Sequence, residues 1–352
     1  MSAFAIAGRP IGPEHPPYII AELSGNHNGE LGRAFQLMDA AKATGADAIK
    51  IQTYTADTIT IDCAKKDFTI EGGPWSGYTL HSLYKEAHTP WEWHEALFAH
   101  GRKLGLPVFS SPFDSTAIAF LQRLDAPAYK IASFEAIDTP LIAEAARTGK
   151  PLIISTGMAD LGEIQDAVEA ARAAGCRSIA LLHCISAYPA PAEDANLKTI
   201  PHLRDAFGVE SGLSDHTLGT AVAIAAVSLG ATIVEKHMTL RRADGGPDAA
   251  FSLEPDEFKA MVEGCRTAWN ALGKVNYARE ESEKGSMVFR RSLYAVRDIA
   301  AGQVLTKDDV RSIRPGYGLP PKHLDAIIGR HAAKSIERGT PISWDLVADR
   351  GA

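Results

Sequence analysis

Ser211–Leu240 reads SGLSDHTLGTAVAIAAVSLGATIVEKHMTL. A β-rich run, Val209–Leu213, leads into it, an apolar run of helical character, Thr217–Leu229, follows, and Gly230 supplies a stop before a second β-rich run, Thr232–His237. Strand, crossover helix and strand make one βαβ unit, whose strands pair in parallel. His216 and His237 each fall where a strand ends, and Glu235 and His237, two apart, project from the same face. With the two strands as neighbours in a barrel, the unit is half a metal site.

The same rhythm runs outward from this unit, from Tyr18 to Gly273. The remaining strands are expected at Tyr18–Leu23, Ala48–Thr53, Pro107–Ser111, Ala128–Ala132, Leu152–Ser155 and Ile179–Cys184. Helices are expected at Leu31–Thr44, Pro90–Leu104, Thr116–Leu124, Leu141–Thr148 and Leu161–Ala174, with Pro255–Leu272 after the last strand. Several close on a glycine, as at Gly45 and Gly105, the usual left-handed stop. Eight strands alternating with helical segments predict an α/β protein with a closed (β/α)8 TIM barrel over residues 1–273. An open doubly wound sheet is the competitor, but no G-x-G-x-x-G follows the first strand.

One interval breaks the rhythm. Tyr54–Thr89 is too long for an ordinary connection and leaves the C-terminal end of its strand, so it is expected over the barrel mouth. After Gly273 the texture changes: residues 274–288 read as a charged linker, and residues 289–352 as a small, mostly β domain close to the lower size limit for independent stability.

Composition bounds the partners. With 45% hydrophobic and 22% charged residues and a formal net charge of −7, the chain reads as a soluble globule without the basic footprint of nucleic-acid binding. The longest apolar run, Ala221–Leu229, is far below the ~20 residues of a membrane span. The N-terminal MSAFAIAGRPIGPEHPP lacks a basic n-region, and the four cysteines, Cys63, Cys176, Cys184 and Cys265, form no framework. Both features suit a cytoplasmic location.

Polar residues collect at the predicted strand ends, where such barrels place their chemistry. They are Glu22, Asn26 and His27; Lys50 and Gln52; Ser110 and Ser111; Lys130 and Ser133; Ser155 and Thr156; His183, Ser186 and Tyr188; Ser214, Asp215 and His216; and Glu235, Lys236 and His237. Buried lysines must be paired. Lys50 and Lys130 among Ser111, Ser133, Ser155 and Ser214 resemble a cradle for a phosphate-bearing anion. His216 and His237 suit a divalent transition metal, with open positions left for water or substrate. Glu22 and Glu235 are candidate acid–base groups or hydroxyl acceptors, and Asp248 could reach a polyhydroxy substrate. Trp91–His94 reads as packing at a helix start, and Arg314, in IRPGYGLPP, is a cation where a carboxylate or ring substituent could dock. A Schiff-base aldolase using Lys130, or a carbohydrate-binding barrel without chemistry, are the alternatives.

The segments AELSGNHNG, IKIQTYTADT, FSSPFD, YKIASFE, STGM, LLHCISAYPAP, GLSDHTLG and EKHMTL, followed by IRPG, closely resemble the sialic acid (nonulosonic acid) synthase family. The similarity runs collinearly from about Tyr18 to Leu346, and HTPWEWH, SSPFD, NHNG and AFSLEP resemble its pseudaminic acid branch. The resemblance implies a TIM barrel plus an antifreeze-like (SAF) domain in a domain-swapped homodimer. It implies condensation of phosphoenolpyruvate with an N-acetylated amino sugar, using Mn2+, or alternatively Mg2+ or Co2+. On this chain, His216 and His237 match the metal ligands. Lys50, Lys130, Ser111, Ser133, Ser155 and Ser214 match the phosphoenolpyruvate site, while Glu22, Tyr188, Glu235 and Asp248 match groups that handle the sugar or activate water, with Gln52 and Ser186 beside them. Arg314 matches a residue contributed by a partner subunit. Ser111 replaces a threonine of the neuraminate branch, and Ser186 an asparagine, which puts the role of Ser186 in doubt. The branch implies a 2,4-diacetamido-2,4,6-trideoxy hexose as acceptor, and an apolar surface to read it, with Tyr54, Phe68, Trp75 and Tyr78 as candidates; the alternative within the family is an N-acetylneuraminate or legionaminate synthase acting on another N-acyl hexosamine.

Overall fold

In the computed structural model, which describes residues 4–348, eight parallel strands close into a barrel. Ahead of it, β1 (Phe4–Ile6) and β2 (Arg9–Ile11) form an antiparallel hairpin. The barrel strands are β3 (Tyr18–Glu22), β4 (Ala48–Thr53), β5 (Val108–Pro112), β6 (Tyr129–Ile131), β7 (Leu152–Ser155), β8 (Ile179–His183), β9 (Glu210–Asp215) and β10 (Ile233–His237). Each pairs with its sequence neighbour, and β10 returns to β3 with His237 opposite Glu22. The expected closed barrel is the observed one.

Alternation along each strand divides the barrel into two apolar layers. Outward residues such as Ile19, Ile49, Val108, Ile131, Ile154 and Val234 meet the helices, together with Leu37, Leu97, Ile142 and Phe258. Inward residues Ile20, Phe109, Ile153, Leu182 and Ile233 form a plug toward the N-terminal end, and Phe4, Ile6 and Ile11 of the hairpin pack into it. That hairpin was invisible to periodicity because its strands are three residues long.

Local chemistry explains the helix limits. Asp114 accepts N–H bonds from Thr116 and Ala117, and Asp138 accepts one from Leu141, so the helices start at Ser115 and Thr139. Gly45 closes Leu31–Thr44 at φ 87°, a conformation that disfavours any side chain. One helix begins later than expected, at Ala221 rather than Thr217, because the Asp215 carboxylate accepts both the N–H and the hydroxyl of Thr217 and holds that turn outside the helix. Thr199–Phe207 is a helix not anticipated among the named segments.

The segment 54–89 contains the short helices Ala56–Ile59 and Leu80–Ala87 and folds over the mouth as a flap. Trp75 is its latch: Nε1 donates to the carbonyl of Pro247 at 2.8 Å, and the ring lies 5.4 Å from Tyr188 and 6.4 Å from Phe251.

The chain divides into two units, Met1–Gly273 and Lys274–Ala352. In the second, residues Glu281–Phe289 form 3-10 turns, and β11 (Ser292–Ala295) pairs antiparallel with β12 (Val310–Ile313). Its core is built from Leu293, Ile299, Leu305, Val310, Ile336 and Ile342. Residues 1–3, at the start of the barrel span, and 349–352, at the end of the small-domain span, lie outside the described residues.

Candidate active site

Above the apolar plug the inward positions become polar. Glu22 ends β3, Lys50 and Gln52 lie on β4, Ser111 on β5, Lys130 on β6, Ser155 on β7, Ser214 on β9, and Glu235 and His237 on β10. Parallel register puts Glu22 beside both Lys50 and His237. A cavity of about 450 Å3 opens above them, lined by Lys50, Gln52, Lys130, Ser133, Ser155, Tyr188, Ser214, His216, Glu235, His237 and Asp248.

Four charges are interlocked at the floor. Lys50 Nζ is 2.6 Å from Glu22 Oε2 and 3.5 Å from Glu235 Oε1, and Lys130 Nζ is 3.3 Å from the same Glu235 oxygen. Ser214 donates to that oxygen at 3.3 Å, and Gln52 donates to Glu22 Oε1 at 2.9 Å. Burial works against charge on every member, and the outcome differs by neighbourhood. For Glu22 burial prevails, assisted by Glu235, and its carboxyl is pushed up in spite of Lys50. Burial also raises Glu235, but Lys130 and Lys50 outweigh it and hold that carboxyl low. Burial would depress Lys50, yet Glu22 and Glu235 reverse the effect, whereas Lys130 stays depressed because burial exceeds the pull of Glu235. The carboxylates therefore divide: Glu235 is the anion and Glu22 the one that more readily holds a proton.

The hydroxyl of Ser155 is buried without a partner, as is the second carboxylate oxygen of Glu235. Such atoms fit a bound polar ligand. Gly157, at φ 38°, lets the backbone pass close by, since a Cβ there would come within 2.4 Å of Ser133 and 2.6 Å of Ser186.

His216 and His237 face each other across the mouth, with ring centroids 5.6 Å apart. His216 Nδ1 donates to the carbonyl of Ile185 at 2.8 Å, and His237 Nδ1 lies 3.1 Å from Ser24 Oγ. With both Nδ1 atoms engaged, both Nε2 atoms are left for a ligand. Burial lowers both imidazoles, His216 to about 4, so they are neutral. Among the described residues no third histidine, cysteine or carboxylate completes a cluster around them. This donor set fits a divalent ion held by two nitrogens and completed by water or substrate.

Other expected residues take different places. Ser111 lies behind Lys50, fully buried, 3.4 Å from its Nζ, and Glu22 lies beneath the cavity rather than on its wall. Ser186 is hydrogen-bonded to Ser133 at 2.8 Å and does not line the cavity. Asp248 accepts from the Gly25 N–H at 3.3 Å, with its carboxyl raised by burial. Arg314 is exposed in the second unit. Trp75 and Tyr54 line the cavity, whereas Phe68 does not, and Tyr78 is committed to Glu86 at 2.9 Å.

Several strand-end polar groups turn out to be architectural. Ser110 faces outward, bonded to Thr53 at 2.6 Å and to the Ile51 carbonyl, and Thr53 bonds His94 at 2.8 Å. His183 is bonded to the Ala195 carbonyl, Asn26 ties Met238 to Ser252, and His27 bonds the Gly29 N–H and packs edge-on against Trp93. Lys236 pairs outward with Asp215.

One site residue escaped the sequence reading. Glu135 lines the cavity, and burial, reinforced by Asp138, pushes its carboxyl to about 7. Its Oε2 is buried without a partner. It stands on the 3-10 turn Ser133–Glu135, beyond the strand, where alternation no longer reports direction.

A parallel barrel whose mouth combines two buried lysines, two ionisable carboxyls and a pair of neutral imidazoles is an enzyme of the anion-handling, metal-compatible kind. Residues 37–277 match the NeuB family and residues 290–348 the SAF domain, and the chain belongs to the NeuB family. Pseudaminic acid synthase of Campylobacter jejuni is 46% identical across 92% of this chain and 94% of its own length, and that of Helicobacter pylori 44% identical across 94% and 97%. A crystal structure of N-acetylneuraminic acid synthetase from Leptospira borgpetersenii, in complex with citrate, superposes with a TM-score of 0.72 at 30% identity, covering 81% of this chain and 95% of that one. The chain is a nonulosonic acid synthase with the expected TIM-barrel and SAF-domain composition, and the motif resemblance to the pseudaminic branch agrees with these relatives.

Proposed function

We propose that the enzyme condenses phosphoenolpyruvate with a 2,4-diacetamido-2,4,6-trideoxy hexose of the altrose type, and water, to give pseudaminic acid and inorganic phosphate. The observation that carries this reading is the pair Lys50 and Lys130, both buried, converging on Glu235 below a partnerless Ser155 hydroxyl. Two ammonium groups and a free hydroxyl donor suit an anion bearing both phosphate and carboxylate.

In this reaction C3 of the enol phosphate forms the new bond to the sugar's aldehyde carbon, using the electrons of the C2–C3 double bond, and the aldehyde oxygen takes up a proton. Water adds to the electron-poor C2 and loses a proton. The C2–O bond to phosphate then breaks and the ketone forms. Lys50 and Lys130 hold the substrate dianion and stabilise the charge that gathers on the departing phosphate. Glu22, whose carboxyl is raised and lies 2.6 Å from Lys50, is the proton carrier at the floor, and Glu235 remains the anion that keeps both lysines charged. Asp248, Tyr188 and Gln52 address the sugar's hydroxyl groups. A divalent ion, Mn2+ or alternatively Mg2+ or Co2+, would be held by His216 and His237 and would supply Lewis-acid polarisation of the aldehyde.

The assembly in this reading is a domain-swapped homodimer in which Arg314 of the partner subunit completes the mouth. Its support is an apolar rim on the barrel loops, where Phe134, Ile137, Met158, Leu161 and Leu218 are all more than half exposed. The cytoplasm is the reading's location; the four cysteines are free, and no described helix is long and apolar enough to cross a membrane.

The deciding assay measures phosphate release from phosphoenolpyruvate with the diacetamido trideoxy altrose against N-acetylmannosamine. Equal turnover of both would overturn the pseudaminic assignment. The depressed ammonium of Lys130 favours one rival, a Schiff-base aldolase, and borohydride trapping of a Lys130 adduct would establish it.

A further inference from the structure

The two imidazoles at the mouth are oriented by different kinds of group. His216 Nδ1 faces the carbonyl of Ile185 at 2.8 Å, and a carbonyl only accepts, so this nitrogen carries the proton and Nε2 is free. His237 Nδ1 faces instead the hydroxyl of Ser24 at 3.1 Å, and a hydroxyl can donate or accept. The tautomer of His237 therefore depends on where Ser24 sends its own proton.

Asp248, on the cavity wall, gives that proton a destination. Its Oδ2 accepts from the Gly25 N–H at 3.3 Å, and the Ser24 hydroxyl acts with that N–H to hold the carboxyl down against the burial that raises it. A carboxylate bonded in this way takes the hydroxyl proton, so Ser24 donates to Asp248 and is left to accept from His237 Nδ1–H. One hydroxyl thus joins a carboxylate on the cavity wall to an imidazole.

The backbone shows that Ser24 stands there against local preference. Ser24, which is buried, holds φ 40°, in the left-handed region that disfavours a side chain. Gly25, next to it, could adopt that conformation freely and does not. Strain kept on one buried side chain, with a glycine one residue away, points to a task for that side chain.

We propose that Ser24 is the positioning residue that fixes the tautomer and ring orientation of His237 for a divalent ion, and that it does so by relaying a hydrogen bond to Asp248. This rests on the metal reading given above. Loss of such an outer partner lowers metal affinity by about 10–100-fold.

The test titrates the full chain with Mn2+ and follows the free ion by electron paramagnetic resonance, in wild type, Ser24→Gly and Ser24→Ala. Both substitutions remove the hydroxyl, but glycine accepts φ 40° without strain whereas alanine retains it, and thermal melting checks that each variant folds. Both variants are expected to bind Mn2+ about 10–100-fold more weakly than wild type. Asp248→Ala is expected to weaken binding when Ser24 is present and to add little to Ser24→Gly, because the two act as one chain. Unchanged Mn2+ affinity in either Ser24 variant, or a full additional loss from Asp248→Ala in the Ser24→Gly background, would overturn the relay while leaving the metal and the condensation intact. Absence of Mn2+ binding in wild type would overturn the metal reading and the relay together.

Discussion

Lys236 Nζ lies 2.5 Å from Asp215 Oδ2 and 2.6 Å from the carbonyl of Thr217, so a buried cross-strand clamp joins the residues adjacent to His237 and His216. Asp215 uses its other oxygen to hold the Thr217 N–H and hydroxyl. The clamp stands outside the barrel, yet it sets the gap between two imidazoles inside it. Lys236→Met is expected to cost about 3–5 kcal/mol, because it strands a buried carboxylate. Lys236→Met with Asp215→Leu is expected to regain most of that stability but not the wild-type kcat, since the 215–220 turn is released. Urea unfolding and steady-state kinetics on the same preparations separate the two effects, and full activity in the double variant would show the clamp to be irrelevant to the site.

Removing an ammonium from the floor should disable anion handling more than folding. Lys130→Met is expected to lower kcat/KM for phosphoenolpyruvate by about 10²–10³, the loss typical of one preorganised charge-stabilising group. The effect should appear in phosphate-release assays at unchanged melting temperature within a few degrees. A decrease confined to KM for the sugar would reassign Lys130.

Glu135 gives stability a pH dependence of definite sign. Its folded pKa, raised to about 7 from 4.5, means that the native state binds the proton more tightly than the unfolded chain. Stability from this group is full below about 4.5 and is lost as pH rises through about 7. Glu135→Gln should flatten that part of the melting profile between pH 4.5 and 7, and an unchanged slope would show that Glu135 is not the group responsible.

Chelation should abolish turnover, and added Mn2+ should restore it. His216→Ala and His237→Ala should each remove Mn2+ binding measured by electron paramagnetic resonance. Retained activity in excess chelator would dismiss the metal.

Trp75→Phe keeps the ring beside Tyr188 but deletes the 2.8 Å bond to Pro247. Loss of one such bond, about 0.5–1.5 kcal/mol, predicts a severalfold rise in KM for the sugar with KM for phosphoenolpyruvate unchanged. Equal shifts in both constants would indicate a general loosening instead.

The barrel was legible because its signal is local and repeated: each β-rich run, cap and glycine stop reports on itself. Lys50, Lys130, His216 and His237 were legible for the same reason, as polar side chains at ends of apolar strands. Their rank order was not. Ser110 and Ser111, or Lys236 and Glu235, are adjacent in sequence and opposite in direction, and only closure of the barrel decides which face is inside. His27 looked as chemical as His216 until the fold gave its ring nitrogens the Gly29 N–H and the Thr89 hydroxyl as partners, whereas His94, expected to pack, does so with its ring bonded to Thr53. Glu135 was hidden because a 3-10 turn, with no strand alternation, aims it into the cavity. Sequence by itself determined the βαβ repeat and the inventory of charge, since both depend on neighbours a few residues away. Tertiary structure alone decided which carboxyl is forced toward protonation and which stays ionised, because Glu22 and Glu235 are both buried and differ in the lysines the closed barrel brings within 4 Å, Lys50 alone for Glu22 and both Lys50 and Lys130 for Glu235.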